Sequence, residues 1–194
     1  MKLYDQIREY IPWNEQEQQD REVLLHWLSS GVDIATRNNP VAHLTASAWV
    51  ISPDRNYVVM AYHNLYDSWA WLGGHADGEQ DLLAVALREV QEETGLTLTD
   101  YRLRGLVTFL SSVWETEYMF VFTATGYEGE LIECNEGDLE WIHKDRLVEL
   151  PLWVGDKLFL ERIHEPDTPF FSLKLRYEGD DLVYAALDGK ELSV

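Results

Sequence analysis

The sequence contains a single cysteine, Cys134, among its 194 residues. An intrachain disulfide is therefore excluded, and so is a zinc site built from several cysteines. Long apolar runs are also missing, so no stretch predicts a membrane-spanning helix. The first ten residues, MKLYDQIREY, are charged and lack the apolar core of a secretory signal peptide. These absences predict a cytoplasmic protein with no membrane partner.

Basic residues are scarce as well. The chain has 15 Lys and Arg against 35 Asp and Glu, which gives a net charge of −20. A nucleic-acid polymer requires a basic face on its partner, and this composition argues against such a partner. A mononucleotide is still compatible, because a bound cation offsets the repulsion between carboxylates and phosphates. Apolar residues make up 46% of the chain, which predicts a globular protein.

The hydrophobic pattern divides the chain into a helical arm and a mixed domain. Residues 1–40 predict two helices, the first broken by Pro12 and the second over about residues 15–30. We expect this arm to pack on the core, to cap an active site or to serve a homodimer. Residues 41–194 predict helices at 80–94 and 152–164 and strands at 44–51, 57–62, 69–72, 102–110, 117–125, 130–134, 140–142, 171–177 and 182–187. The strands at 44–51 and 57–62 are expected to pair as a hairpin, as are the last two.

This order of elements predicts an α/β protein of the α+β type, in which a mixed β-sheet is sandwiched between helices and carries an N-terminal helical extension.

The most informative segment is GHADGEQDLLAVALREVQEETGL, residues 74–96. On a helix, the spacing of Glu89, Glu92 and Glu93 brings the three carboxylates onto one stripe beside an apolar stripe. Carboxylates stacked in this way repel one another, and a hard divalent cation such as Mg²⁺ or Mn²⁺ would offset that repulsion. Taken alone, the spacing is more typical of a solvated acidic face than of a metal site. The preceding Gly73-Gly74 pair favours a metal site, because it allows a tight turn beside the ion.

The full pattern, G-x13-R-E-V-x-E-E-x-G-L, resembles the Nudix box. The match comprises Gly74, Arg88, Glu89, Val90, Glu92, Glu93, Gly95 and Leu96. The resemblance implies a Nudix fold in which Gly73, through its carbonyl, and Glu89, Glu92 and Glu93 hold Mg²⁺ or Mn²⁺. It also implies that Arg88 orients the carboxylates. The family carries a glutamate that braces this arginine at the position of Gln80, so Gln80 is expected to act as a weakened structural brace.

Residues 150–163 and 169–187 are similar to the oxidised-purine nucleoside triphosphatases of the family, the MutT-like 8-oxo-dGTP diphosphatases. This similarity implies that Trp153 stacks on a purine and that Asp156 bonds to its edge. Some relatives carry a second Asp where this chain has Gly155. Glu136 is the candidate for an additional acidic group near the metals. The first half resembles a different Nudix subgroup, and the two resemblances meet near residues 97–101.

The resemblance implies divalent-metal-dependent hydrolysis by attack of water on phosphorus, with Arg88, Glu92 and Glu136 as the catalytic residues. The substrate class is a nucleoside di- or triphosphate or a nucleoside-diphosphate-linked compound, with 8-oxo-dGTP as one candidate. ADP-ribose or a nucleotide sugar is the alternative substrate. An isopentenyl diphosphate isomerase that uses Cys134, and a non-catalytic nucleotide-binding domain, are the alternatives from other classes.

Overall fold

The N-terminal arm forms two helices that dock on the rest of the chain. The computed structural model describes residues 2–63, 67–134 and 137–194. Helix α1 spans Leu3–Glu9 and helix α2 spans Glu15–Ser29, where Asn14 caps α2 by accepting a hydrogen bond from the Glu17 backbone. The side chain of Gln16 donates to the Ser172 carbonyl at 3.0 Å. Asp20 pairs with Lys174 at 2.7 Å, so polar contacts as well as apolar ones hold the arm.

A seven-stranded mixed sheet forms the centre of the molecule. Its order is β10-β9-β8-β5-β6-β1-β4. The pairs β1–β6 and β5–β8 are parallel and the others are antiparallel. The strands span Ala42–Val50 (β1), Leu72–His75 (β4), Thr97–Ser111 (β5), Thr116–Glu128 (β6), Phe171–Glu178 (β8), Asp181–Leu187 (β9) and Lys190–Leu192 (β10).

A second sheet of three strands has the order β3-β2-β7 and is formed by Tyr57–His63 (β2), Ser68–Ala70 (β3) and Gly137–His143 (β7). The predicted hairpin of residues 44–51 with 57–62 is wrong, because β1 and β2 lie in different sheets and share only an isolated bridge between Ile51 and Val58. Both edges of β1 are occupied, one by β6 and the other by β4, so β2 cannot pair along it. The predicted strand 69–72 is likewise divided between β3 and β4.

Two apolar cores lie on the two faces of the central sheet. Along β1, Leu44, Ala46 and Ala48 pack into the core beneath the arm and helix α3 (Leu82–Thr94). Trp49 belongs to the other core, with the C-terminal residues Phe159 and Leu173. Helices and turns therefore cover both faces, which confirms the predicted mixed sheet between helices. No helix in the described ranges is both long and apolar enough to cross a bilayer.

The predicted helix at 152–164 is wrong over most of its length. A 3-10 helix spans Lys144–Glu149, a single 3-10 turn follows at Asp156–Leu158, and only Leu160–His164 (α4) is α-helical. The backbone N–H of Gly155 donates to the Tyr177 hydroxyl at 2.8 Å, which fixes this segment in a turn. Residues 130–134, predicted as extended, pair with no strand of the described chain. The closing hairpin of β8 and β9 is as predicted, with Gly179 at φ 61° in its turn.

Candidate active site

Helix α3 presents the acidic residues of the 74–96 segment. Asp81 caps the helix by accepting a hydrogen bond from the Ala84 backbone at 3.2 Å, so the helix begins at Leu82 rather than at residue 80. Val85 and Val90 are fully buried against the sheet. Gly95 ends the helix in the left-handed conformation at φ 77°. The apolar stripe thus fixes the rotation of α3 and leaves the glutamates on its other side.

Gly73 and Gly74 lie directly against this helix. Gly73 has φ 153°, and a Cβ atom there would stand 2.5 Å from the Cα of Ser47. A Cβ atom on Gly74 would stand 2.2 Å from Oε2 of Glu89. The Gly73 N–H donates to Oε1 of Glu93 at 3.2 Å. The absence of side chains on these glycines therefore lets two carboxylates approach the backbone of β4.

Arg88 orients the Glu89 carboxylate. Its Nη2 donates to Glu89 Oε1 at 2.5 Å and to the His75 carbonyl at 3.1 Å, and the Glu89 carboxylate raises the pKa of Arg88. The structure does not bring Gln80 to this guanidinium: Gln80 is exposed, and its backbone N–H is bound to Glu79 Oε1 at 2.7 Å. The His75 carbonyl is the backbone partner of the Arg88 guanidinium, and the brace by Gln80 stays a prediction.

The donor set suits a hard cation. Glu89 and Glu93 meet the backbone of β4, while Glu92 is exposed beside them and its charge adds to the raised pKa of Arg88. Carboxylate and carbonyl oxygens are the ligands that Mg²⁺ and Mn²⁺ take in proteins. The space that a Cβ on Gly74 would fill is occupied by one of these oxygens, Oε2 of Glu89. Among the described residues, no three acidic, histidine or cysteine side chains lie together in a group that could hold a metal ion. Glu136 lies outside the described residues.

An aromatic group surrounds Asp156 on the other side of the sheet. Trp153 is half-buried, and its ring lies 5.3 Å from that of Tyr177 and 6.4 Å from that of Phe109, in edge-on contacts. Burial raises the pKa of the Asp156 carboxyl to about 7, against a usual value of 3.8, while a hydrogen bond from the Trp153 backbone acts to lower it. Asp156 is therefore protonated in a substantial fraction of molecules at neutral pH, and it can donate as well as accept a hydrogen bond.

The position next to Asp156 has room only for glycine. A Cβ atom on Gly155 would lie 2.6 Å from Leu175 Cδ1 and 2.7 Å from the Tyr177 hydroxyl. An aspartate at this position, as in some relatives, would require the Tyr177 side chain to move. The single carboxyl at Asp156 therefore follows from how Tyr177 is packed.

The two groups of residues belong to strands that lie three places apart in the central sheet. Gly73 lies on β4 and Phe109 on β5, and β1 and β6 lie between these strands. Three strand spacings correspond to about 14 Å. That span is comparable to the length of an extended nucleoside triphosphate. The strands that carry the predicted metal residues and the aromatic partner of Trp153 are therefore separated by about this distance.

Several residues at this surface escaped sequence reasoning. Phe109 and Tyr177 occupy alternate positions of ordinary strands, and only the folded sheet sets them beside Trp153. The buried hydroxyls of Thr45 and Ser47, which pair in register with His75 and Gly73, have no hydrogen-bond partner within the described residues. The alternation of polar with apolar residues in HLTASAWV was the available signal for these two.

The arm also reaches the box. Arg37 forms two hydrogen bonds with Asp77, at 2.8 and 2.7 Å. Burial lowers the pKa of His75, and the nearby charges of Arg37 and His43 lower it further. The rings of His43 and His75 are 5.3 Å apart. The end of the arm therefore places the positive charge of the Arg37 side chain near His75, the residue after Gly74.

Comparison with known proteins finds similar hydrolases. A protein from Bacillus subtilis (strain 168) that bears the name of an uncharacterized Nudix hydrolase is 30% identical over 98 residues. The match covers 48% of this chain and 62% of that relative. An oxidized purine nucleoside triphosphate hydrolase from Danio rerio is 28% identical over 117 residues, covering 59% of this chain and 73% of the relative. The class of enzyme in these names, hydrolase, is the one predicted.

A solved structure of a MutT protein from Bacillus halodurans superposes with a TM-score of 0.68 at 26% identity, covering 75% of this chain and 97% of that one. The family model described as NUDIX domain matches residues 41–163, which is more than half of the chain. The chain therefore belongs to the NUDIX domain family, as the resemblance of residues 74–96 to its box implied.

Proposed function

We propose that this protein hydrolyses a purine nucleoside triphosphate with the help of a divalent metal ion. The observation that carries the proposal is the packing of Glu89 and Glu93 against Gly73-Gly74 at β4, one end of the span from β4 to β5, whose other end carries Phe109 beside Trp153. The first end suits a polyphosphate with its cation, and the second suits a base. The NUDIX domain match supports the same reaction class.

At the phosphate end, Glu89, Glu92 and Glu93 would hold Mg²⁺ or Mn²⁺. When bound, such an ion supplies a Lewis acid that neutralises the charge developing on the phosphate oxygens. Arg88 holds the Glu89 carboxylate in place through its hydrogen bond at 2.5 Å. Glu92, which is exposed, is available to orient and deprotonate the attacking water. Glu136 is the candidate for a further acidic group.

At the base end, Trp153 offers a half-exposed aromatic face for stacking. The protonated carboxyl of Asp156 can donate to a carbonyl oxygen of a purine and accept from a ring N–H through its other oxygen. The relative from Danio rerio bears the name of an oxidized purine nucleoside triphosphate hydrolase. Together with Trp153 and Asp156, this makes 8-oxo-dGTP the first substrate to test.

A substrate panel with and without metal tests the proposal. Purified protein is incubated with 8-oxo-dGTP, dGTP, ADP-ribose and isopentenyl diphosphate, in Mg²⁺, in Mn²⁺ or in EDTA, and the products are separated by chromatography. We expect nucleoside monophosphate from the purine triphosphates only when metal is present. Turnover in H₂¹⁸O identifies the phosphorus attacked. Binding of nucleotide without turnover in either metal would contradict the proposal, and so would faster cleavage of ADP-ribose than of both triphosphates.

Replacement of Glu92 tests the role of the exposed carboxylate. We expect Glu92→Gln to lower kcat at least about a hundredfold, because a general base and a metal ligand are lost together while the helix is kept. Glu149→Gln, an equally exposed glutamate in the 3-10 helix, is the control and should retain full activity. Equal kcat values for the two variants and the unaltered protein would remove Glu92 from the mechanism.

A further inference from the structure

A cavity lies on the opposite face of the central sheet from Trp153. It has a volume of about 480 Å³ and is enclosed by the arm helices, the first turn of α3 and the sheet. Its size is within the range of small-molecule binding sites in proteins. It does not include the box glutamates, Trp153 or Asp156. Its chemistry therefore has to be derived separately from that of the nucleotide surface.

The walls of this cavity are mainly apolar and rich in aromatic rings. Leu106, Phe120 and Phe122 form the sheet side. Tyr10 and Phe170 line it from the arm and the loop before β8, with their rings 5.7 Å apart. Apolar cavities of this kind hold water only weakly. They accept apolar ligands, because filling the space restores dispersion contacts. Flat walls of several rings favour a flat aromatic body.

Trp13 stands at the mouth of the cavity. It lines the space, although 87% of its side chain is exposed to solvent. A tryptophan held at an opening in this way presents one face to whatever enters, and a positive charge near that face is attracted to the ring. The mouth is therefore suited to the polar end of a ligand.

The charged residues on the walls are mostly acidic. Glu17, Asp20 and Asp81 line the cavity, although Asp20 is paired with Lys174 at 2.7 Å, and Arg21 is the single basic residue among the described residues of the lining. The Arg21 guanidinium donates to the Ile7 carbonyl at 2.9 Å and also to that of Arg8, so it is committed to the arm backbone. Glu17 accepts hydrogen bonds from the Tyr10 hydroxyl and the Trp13 N–H at 2.7 and 2.8 Å, which keep its charge at the wall. The two remaining carboxylates, Glu17 and Asp81, outnumber the charge of Arg21, so the cavity favours a cation over an anion.

We propose that this cavity is a binding site for an amphiphilic organic cation, with a flat aromatic body and one protonated amine. The aromatic body fills the space between the rings of β6 and the arm, and the amine lies at the acidic wall near Trp13. The inference is independent of the hydrolytic activity proposed for the other face. It concerns binding alone and requires no chemical step.

Three naphthalene probes of matched size test the proposal by titration calorimetry on the full chain. They are 2-(1-naphthyl)ethylamine, the neutral 2-(1-naphthyl)ethanol and the anion 1-naphthylacetate. We expect one equivalent of the amine to bind at least tenfold more tightly than the anion, with the alcohol between them. Equal affinity for the amine and the anion would overturn the assignment of charge.

Variants of the cavity locate the site. Leu83→Trp, at a half-buried position of the lining, should weaken amine binding at least tenfold by filling the space. Val148→Trp, at an exposed position outside the lining, is the matched control and should bind as the unaltered protein does. Asp81→Asn keeps the helix cap but removes a charge, and should reduce the preference for amine over anion by about threefold. Unchanged amine affinity in folded Leu83→Trp would overturn the proposal.

Methyl NMR of the unaltered protein gives an answer that does not depend on any variant folding. The amine should shift the methyl signals of Leu24 and Leu106, which line the cavity, and leave those of Leu175 unchanged. Leu175 packs on the other face, in the core that includes Tyr177. Shifts confined to Leu175 would place the amine at the nucleotide surface and contradict the proposal.

Discussion

At the scale of single residues, Gly74 decides how close a carboxylate comes to the backbone of β4. Its missing side chain leaves the space in which Oε2 of Glu89 lies, 2.2 Å from where a Cβ would stand. No turn in the left-handed region explains this glycine, since only Gly73 of the pair has a positive φ. The requirement at residue 74 is therefore one of space for Glu89 and not of backbone conformation.

Gly74→Ala should displace the Glu89 side chain and separate it from the Arg88 guanidinium. We expect at least about a tenfold loss of kcat/KM, on the order of 1.4 kcal/mol of transition-state stabilisation. Gly78→Ala, in the turn after β4, is the control. No atom stands within 4 Å of the new Cβ there, although the φ of Gly78, unlike that of Gly74, is positive at 92°. Its activity should change little, although its stability falls. A Gly74→Ala enzyme as active as the control would show that Glu89 does not need this space.

Asp156 is the second residue whose surroundings determine its chemistry. The folded protein binds a proton at Asp156 with a pKa of about 7, whereas the unfolded chain binds it near 3.8. Between these values the folded state holds more protons, so the contribution of this group to stability falls as pH rises from about 4 to above 7. The carboxylate is thus a source of instability at neutral pH that substrate binding can relieve by sharing a proton.

Asp156→Asn should remove this pH dependence, because the amide has no proton to lose. Relative to the variant, the unaltered protein should lose on the order of 3 kcal/mol of unfolding free energy between pH 4 and pH 8. Urea unfolding of both proteins at several pH values measures the difference. Parallel stability curves would contradict the raised pKa. With 8-oxo-dGTP as substrate, KM of the unaltered protein should rise above pH 7 and that of the variant should not.

At the scale of elements, Arg104 on β5 fixes α4, the helix that follows Trp153 and Asp156. This guanidinium is buried and donates to the carbonyls of Arg162, Ile163, Glu165 and Thr168 at the end of α4. Burial lowers the pKa of Arg104 to about 10. A five-residue helix has little stability of its own, so its position depends on this contact with the sheet.

Arg104→Met should destabilise the protein by about 2–4 kcal/mol, because several buried carbonyls lose their partner. Urea unfolding is the measurement, and Arg176→Met, at an exposed position of β8, is the control. The control should stay within about 0.5 kcal/mol of the unaltered protein. A loss no larger than that of Arg176→Met would mean that α4 holds its own position.

At the scale of the whole molecule, the net charge of −20 acts against the compact state. The exposed ion pairs, such as Arg37–Asp77 with side chains 58% and 41% exposed, offset only a small part of this repulsion. Acidic side chains also gather at the cavity beneath the arm and at the end of α3. Self-repulsion is therefore a general property of this chain and is not confined to the proposed metal site.

Salt should stabilise the protein by screening that repulsion. We expect 0.5 M choline chloride, which contains no cation that binds carboxylates tightly, to raise Tm by about 2–5 °C above its value at low ionic strength. Sucrose at the same osmolality is the control for solvent effects that are not electrostatic. A Tm that falls with salt would show that attractive pairs outweigh the repulsion.

The sequence alone was sufficient for the local features of the active site. The spacing of Glu89, Glu92 and Glu93 on a helix follows from 3.6 residues per turn, and the helix, its glycine end and the family are confirmed. The arm helices and the last hairpin were also predictable, because short-range periodicity and turn residues specify them. The expected metal and the roles of Trp153 and Glu136 stay predictions.

Contacts between distant residues decided the rest. β1 pairs with β6, some seventy positions along the chain, because its other edge is taken by β4. The turn at Gly155 and the position of α4 depend on Tyr177 and Arg104, and the raised pKa of Asp156 depends on burial, none of which a local pattern reveals. The physical reason is that periodicity reports which face of an element is buried, whereas pairing, burial of charge and cavity shape depend on which surfaces the folded chain brings together.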